Sequence, residues 1–263
     1  MTAVLKWGLV CLAILLCSAR ARGQEIAVAA AADLKFAMGE LVGQFEKQTG
    51  TKVNVTYGSS GNFFSQIQNG APFDLFFSAD VEYAKKLEAG GEAEPGTLYE
   101  YAVGRIVIWC PGDSKVDVAK EGWNALLDES VQKIAIANPG HAPYGKAAVA
   151  ALKKAGIYEK VEPKLVYGEN ISQAAQFVQS GNAQAGIIAL SLAISPPMKD
   201  GKSWQVPAEM HPAIEQAAIV LKSAKDRDAA RAFLEFVKSK EGGATLEKFG
   251  FAISKPDQGS SPH

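Results

Sequence analysis

The alternation of apolar and polar residues is clearest in the stretch that follows residue 51. In Lys52–Tyr57 apolar side chains recur at every second position, which is typical of a strand with one buried face. The small residues Gly58–Gly61 interrupt this alternation, and the apolar spacing of Phe63–Ile67 then predicts a helix. Ser59 or Ser60 is expected at the N-cap, because a serine oxygen accepts a hydrogen bond from an amide of the first turn. The pattern predicts a strand, a tight turn and a helix.

The same construction occurs twice more among the first 90 residues. Glu25–Ala29 leads through four alanines to Asp33, the predicted cap of a helix with one apolar face. Phe73–Phe77 has the composition of a buried strand and precedes a cap at Ser78–Asp80 and another helix. Three such units in a row predict a parallel sheet with helices on both faces. Ligands of such sheets lie beyond the carboxyl ends of the strands, where Asp33 and Ser60 are expected.

A second series of strands and helices follows in the middle of the chain. Its predicted strands are Lys133–Ala137, Lys164–Tyr167 and Ala185–Leu190. Two apolar runs, Tyr101–Trp109 and Gln216–Leu221, are interpreted as strands that pass between two lobes. Helices predicted over residues 226–239 and 241–248 would rejoin the first lobe.

The predicted fold class is therefore α/β, with two lobes, parallel-rich sheets flanked by helices and two hinge strands. The first lobe is expected to comprise residues 24–104 and 213–263, and the second lobe residues 105–212. Such a protein is a hinged clamp. The tail from Lys255, which is polar and contains Gly, Ser, Pro and Asp, is expected to be disordered.

The N-terminus differs in kind from the rest of the chain. Lys6 precedes a ten-residue apolar run, and small residues then lead to Gly23. The run is too short to span a bilayer, so residues 1–23 are predicted to be a secretory signal peptide, cleaved near Gly23. The mature protein is expected to be exported. Cys11 and Cys17 leave with the peptide, and Cys110 is predicted to be a buried, inert thiol at the end of an apolar strand.

The composition is that of an ordinary soluble protein. Of 263 residues, 48% are hydrophobic and 21% are charged, and the net charge is −1. A near-neutral chain lacks the positive charge with which proteins bind nucleic acids or acidic membranes, so neither partner is expected.

Helix starts that meet in one cleft predict an anion site. The first amides of a helix are unpaired and carry partial positive charge, so they bind an anion without Lys or Arg. The hydroxyls of Ser60 and Tyr144 would add donors. A single turn of this kind is more often an ordinary cap, and the prediction depends on its repetition along the chain.

Two other function classes fit the sequence less well. A hydrolase would need a nucleophile and a base, and Ser60 with His141 is a conceivable pair. The sequence, however, has no Gly-x-Ser-x-Gly elbow, no metal-ligand spacing and no phosphate loop. Capture of iron or polyamines would need clustered tyrosines or carboxylates, which are not found. We therefore expect a binding protein that is not an enzyme.

Four segments carry a resemblance to a known family. These are residues 30–34 (AAADL), 58–61 (GSSG), 68–80 (QNGAPFDLFFSAD) and 138–145 (NPGHAPYG). They resemble the periplasmic molybdate-binding proteins of ABC importers, and the likeness covers essentially the whole mature chain. It implies a periplasmic-binding-protein type II fold that holds molybdate or tungstate between the lobes through neutral donors. It also implies delivery to an ABC permease, no cofactor, no direct protein–metal ligand and a monomeric state.

The resemblance places the ligand-binding positions at Ala32, Asp33, Ser60, Tyr144 and Ile171. Ser60 matches a family serine, and the Ile171 backbone amide replaces an equivalent amide donor. A tyrosine that some members carry falls on Ala189 here, so the Tyr144 phenol is a possible substitute for it. Asp33 departs from the family, which has serine there.

A carboxylate beside a dianion is repulsive, so Asp33 needs an explanation. In the favoured one, its side chain caps its own helix and only backbone amides meet the ligand. In the alternative, Asp33 accepts a proton-bearing oxygen, and the ligand is a partly protonated oxyanion such as phosphate or arsenate.

Overall fold

The computed structural model of the protein describes residues 25–253. The predicted signal peptide with its cleavage point, and the tail from Lys255, lie outside the described residues. None of the helices within 25–253 has the length and apolar character that a membrane span requires.

Two five-stranded sheets form the centre of the described chain. The strands of the first sheet are β1 (Glu25–Ala31), β2 (Lys52–Gly58), β3 (Leu75–Ser78), β4 (Tyr99–Gly104) and β10 (Ile214–Val220). The strands of the second sheet are β5 (Ile106–Cys110), β6 (Ile134–Ala137), β7 (Leu165–Gly168), β8 (Ala185–Ala189) and β9 (Lys202–Gln205). We call each sheet with its surrounding helices the first lobe and the second lobe.

Helices connect and cover these strands. The α-helices are α1 (Lys35–Thr49), α2 (Ser60–Gln68), α3 (Val81–Gly90), α4 (Val118–Glu121), α5 (Pro143–Lys154), α6 (Tyr158–Val161), α7 (Ile171–Gln179), α8 (Leu190–Ala193), α9 (Arg227–Lys238) and α10 (Lys240–Lys248). Short 3-10 helices cover Ala32–Leu34, Gly122–Leu127, Glu162–Lys164 and Ala208–Met210. The prediction of a two-lobed α/β fold with parallel-rich sheets is confirmed.

The two sheets have the same arrangement. Their orders are β2-β1-β3-β10-β4 and β7-β6-β8-β5-β9. In each, the first three strands are parallel and the last two are antiparallel to their neighbours. The carboxyl ends of the parallel strands β1, β2, β6 and β7 therefore lead into helices at matching edges of both sheets, which is where such folds bind ligands.

The crossings between the lobes differ from the predicted ones in detail. The run Tyr101–Trp109 is two strands rather than one, because Arg105 separates β4 in the first sheet from β5 in the second. The run Gln216–Leu221 lies in the first sheet, and residues 206–213 make the return passage. Hydrophobicity alone does not distinguish one long strand from two collinear short ones.

Both faces of the first sheet are covered by apolar packing. On one face Phe45 of α1 and Phe233 of α9 meet with ring centroids 5.0 Å apart, and Phe233 also contacts Phe77 of β3. Full burial of one such aromatic ring stabilises the fold by about 1.5–3 kcal/mol. Cys110 is a free, fully buried thiol at the end of β5, as predicted.

Candidate functional site

A small cavity lies between the lobes at the starts of three helices. Its free internal volume is about 10 Å³. Its lining residues are Ala31, Ala32, Asp33, Gly58, Ser59, Ser60, Ala79, Ala142, Pro143, Tyr144 and Ile171. All five predicted ligand-binding positions are therefore among its walls. A drug-sized ligand needs roughly 300–1,000 Å³, so this space suits a smaller molecule or ion.

Ser60 is the first residue of α2 and is fully buried. Its hydroxyl oxygen accepts a hydrogen bond from the Ala79 amide at 2.9 Å. Because that bond uses a lone pair, the hydroxyl proton remains available for an acceptor in the cavity. The predicted role of Ser60 as a donor is therefore compatible with its surroundings.

Ser59 precedes Ser60 at the N-cap of α2, but its side chain makes no capping hydrogen bond to the helix. Its hydroxyl and His141 Nδ1 lie 2.9 Å apart and form a hydrogen bond between the lobes. The Gly61 amide donates to the His141 carbonyl at 3.0 Å, a second bond between the lobes. A Cβ on Gly61 would lie 2.6 Å from that carbonyl oxygen, so only glycine permits this approach. The conceivable Ser60–His141 pair is not formed, because His141 bonds to Ser59.

Tyr144 stands in the first turn of α5 and is buried. Its hydroxyl donates to Asp33 Oδ2 at 2.8 Å and accepts from Gln216 Nε2 at 2.9 Å. Burial, and secondly the nearby Asp33 charge, raise the pKa of this phenol well above its ordinary value, so it stays neutral. The phenol thus joins the second lobe to the first, and its O–H group is engaged as a hydrogen-bond donor to Asp33. Ala189, where some family members carry tyrosine, ends β8 and is not among the lining residues.

Asp33 is buried, with 1% of its surface exposed, inside the 3-10 helix after β1. The prediction that its side chain caps its own helix is wrong, since the structure has no such capping bond. Oδ2 instead accepts bonds from Tyr144 and from Gln216 Nε2 at 2.7 Å. Asp often caps a helix by accepting one hydrogen bond from a backbone amide. Here two buried side-chain donors bond to the same oxygen instead, and these tertiary contacts outweigh the local preference for an N-cap.

The second oxygen of Asp33, Oδ1, is buried and has no hydrogen-bond partner among the described residues. Burial raises the pKa of the carboxyl to about 6, although the bonds from Gln216 and Tyr144 lower it. The backbone amides of Asp33 and Leu34 lower the pKa further, without a bond of ordinary geometry to Oδ1.

Gln216 is a site residue that the sequence reasoning missed. It is fully buried in β10, and the Tyr101 hydroxyl donates to its Oε1 at 2.6 Å. That bond turns Nε2 towards Asp33 and Tyr144. A glutamine at the start of an apolar strand was the available signal, because buried polar groups in proteins almost always have specific partners.

Ile171 begins α7 and contributes to the cavity wall. Asn170 caps this helix by accepting a bond from the Gln173 amide at 3.0 Å. The amides of the first turn have no carbonyl partner within the helix, so the Ile171 N–H is suited to a ligand.

The cavity is lined without any lysine, arginine or histidine. Its attraction for an anion therefore comes from amide and hydroxyl dipoles at the starts of α2, α5 and α7. No group of three or more His, Cys, Asp or Glu side chains within residues 25–253 is placed to hold a metal ion directly.

The chain is similar in sequence and in structure to known solute-binding proteins. The family model of bacterial extracellular solute-binding proteins matches residues 26–252. The molybdate-binding protein ModA of Rhodobacter capsulatus is 40% identical over 227 residues, which is 86% of this chain and 88% of the relative. ModA of Azotobacter vinelandii is also 40% identical, over 91% of this chain and 94% of the relative. The solved structure of the periplasmic molybdate-binding protein of Azotobacter vinelandii superposes with a TM-score of 0.82 at 33% identity, covering 88% of this chain and all of that one.

Proposed function

The chain belongs to the bacterial extracellular solute-binding protein family, and from that premise we propose that it captures molybdate or tungstate and delivers it to an ABC permease. The ion is cargo and not a cofactor, and it is held through its oxygens. The protein works in the periplasm as a monomer and carries out no catalytic step.

One observation supports the proposal more than any other. A cavity closed by both lobes has three helix starts and the buried Ser60 hydroxyl around it, and no cationic side chain in its lining. Neutral donors of this kind bind a small, fully ionised dianion, because each charge-assisted hydrogen bond contributes about 1.5–3 kcal/mol. The lobes of the clamp, residues 24–104 with 213–263 and residues 105–212, close around the ion.

We further propose that the same walls discriminate among tetrahedral anions. Metal–oxygen bonds are longer than sulfur–oxygen bonds, so donors set at the distance of molybdate oxygens leave sulfate with stretched contacts. The predicted ligand positions Ala32, Asp33, Ser60, Tyr144 and Ile171 supply these walls.

Titration calorimetry of the mature protein with molybdate, tungstate, sulfate and phosphate tests the proposal. We expect one molybdate or tungstate per chain, with sulfate weaker by more than about tenfold. Sulfate within about tenfold of molybdate would contradict the proposed selectivity. Phosphate that binds more tightly than molybdate would support the alternative, a carrier of partly protonated oxyanions. Native mass spectrometry of the same samples gives the stoichiometry and the oligomeric state.

A further inference from the structure

We propose that the cavity binds its oxyanion together with one proton, which resides on Asp33, so that the neutral carboxyl donates a hydrogen bond from Oδ1 to an oxygen of the anion. This inference rests on the proposed function, because it concerns the same ion in the same cavity.

The two oxygens of Asp33 are in different situations. Oδ2 accepts hydrogen bonds from Tyr144 at 2.8 Å and from Gln216 at 2.7 Å. Oδ1 is buried, has no partner among the described residues and belongs to a side chain that lines the cavity. A buried polar atom without a hydrogen-bond partner is rare in proteins. It destabilises the fold unless a ligand supplies the missing hydrogen bond.

The surrounding network fixes which oxygen can take a proton. Tyr101 donates to Gln216 Oε1, so the amide nitrogen of Gln216 must face Asp33 and Tyr144. The Tyr144 proton is likewise directed at Oδ2. Both side-chain donors therefore occupy Oδ2, and Oδ1, which accepts no side-chain hydrogen bond, is left for an added proton. Because Asp33 lines the cavity, we place this proton between Oδ1 and an oxygen of the bound anion.

The groups that face Asp33 from the neighbouring elements supply no compensating charge. They are Tyr144 from α5, Tyr101 from β4, Gln216 from β10 and Ser191 from α8, whose hydroxyl donates to the Asp33 carbonyl at 2.8 Å. The pKa values of both tyrosines are raised well above their ordinary value by burial, so these phenols are neutral. No lysine, arginine or histidine in the described chain bonds to the Asp33 side chain.

The sign of the coupling follows from electrostatics. Burial already raises the pKa of Asp33 to about 6, and a dianion beside it raises that pKa further. A group whose pKa is higher in the bound state takes up a proton on binding. The affinity is therefore level below about pH 6. Above that pH it falls by up to about tenfold per pH unit until the bound-state pKa is passed.

The experiment is calorimetry of the mature protein with sodium molybdate at pH 7.5, in two buffers of different ionisation enthalpy. The difference in heat gives the number of protons taken up per ion. We expect about one proton in the wild type. In Asp33→Asn, whose amide donates at every pH, we expect none, together with an affinity that is independent of pH.

The matched control is His141→Asn, because His141 is a second titratable group that forms a hydrogen bond between the lobes. This variant should keep the proton uptake even if its affinity falls. Molybdate binding without proton uptake in the wild type, or uptake that disappears in His141→Asn and persists in Asp33→Asn, would overturn the inference. Failure of the proposed function has a different signature, namely no binding heat with molybdate or tungstate in either buffer.

Discussion

The Tyr144 hydroxyl and Asp33 Oδ2 lie 2.8 Å apart, and this hydrogen bond joins the second lobe to the first directly at the wall of the anion cavity. Both groups are buried, so water does not replace the bond when it is lost. Closure of the clamp and the chemistry of the site therefore depend on the same pair of side chains.

Tyr144→Phe should weaken molybdate binding by about 1.5–3 kcal/mol, which is about tenfold to a hundredfold. The change removes the donor to Asp33 and leaves Gln216 as the one remaining partner of Oδ2. Calorimetry measures the loss, and Tyr167→Phe is the control, since Tyr167 is 46% exposed. Equal affinities of Tyr144→Phe and the wild type would show that closure does not need this phenol.

Ser60→Ala should also cost about 1.5–3 kcal/mol of binding free energy, because it removes a buried hydroxyl donor from the cavity. The fold should survive, since the Ala79 amide loses only one acceptor. Ser65→Ala on the exposed side of the same helix is the matched control. A Ser60→Ala protein with unchanged affinity and an unchanged melting temperature would exclude the hydroxyl from the site.

The ligand-free protein should lose stability between about pH 4 and pH 6, because the pKa of buried Asp33 is raised to about 6. A carboxyl with a raised folded-state pKa is stabilising when protonated, and that contribution disappears as the pH rises through the folded value. The free energy of unfolding attributable to Asp33 should fall by about 3 kcal/mol over this range. Denaturant unfolding across the pH series should show this slope in the wild type and not in Asp33→Asn. The exposed variant Asp228→Asn should keep it.

Gly104→Ala should hold the lobes apart. A Cβ at this position, the end of β4, would overlap the Tyr144 hydroxyl and lie 2.7 Å from Gln216 Nε2. The phenol then cannot reach Asp33, and we expect molybdate affinity to fall by at least about tenfold. X-ray scattering with saturating molybdate should show no compaction in this variant. Gly43→Ala on α1, where a Cβ meets nothing within 4 Å, should behave like the wild type.

The sequence predicted the features that depend on neighbouring residues, such as which residues begin a helix. The positions of Ser60, Tyr144 and Ile171 at helix starts followed from spacing and from the family resemblance, and the structure brings them to one cavity. The role of Asp33 did not follow, because its partners are 111 and 183 residues away in the chain. Cap preference is a property of neighbouring residues, and it yields to buried hydrogen bonds formed across the fold. The edge strand β9 was also missed, since its polar sequence, Lys202–Gln205, has little apolar signal.

Two of the bonds between the lobes involve backbone atoms: Gly61 N–H to the His141 carbonyl, and the Ser191 hydroxyl to the Asp33 carbonyl. Opening of the clamp requires that these bonds are broken together with the Ser59–His141, Tyr144–Asp33 and Asn62–Glu169 bonds. The residence time of the ion is then set by the frequency of that joint rupture and not by the strength of any single contact to the ion. A permease that pulls the lobes apart accelerates release without competing for the anion.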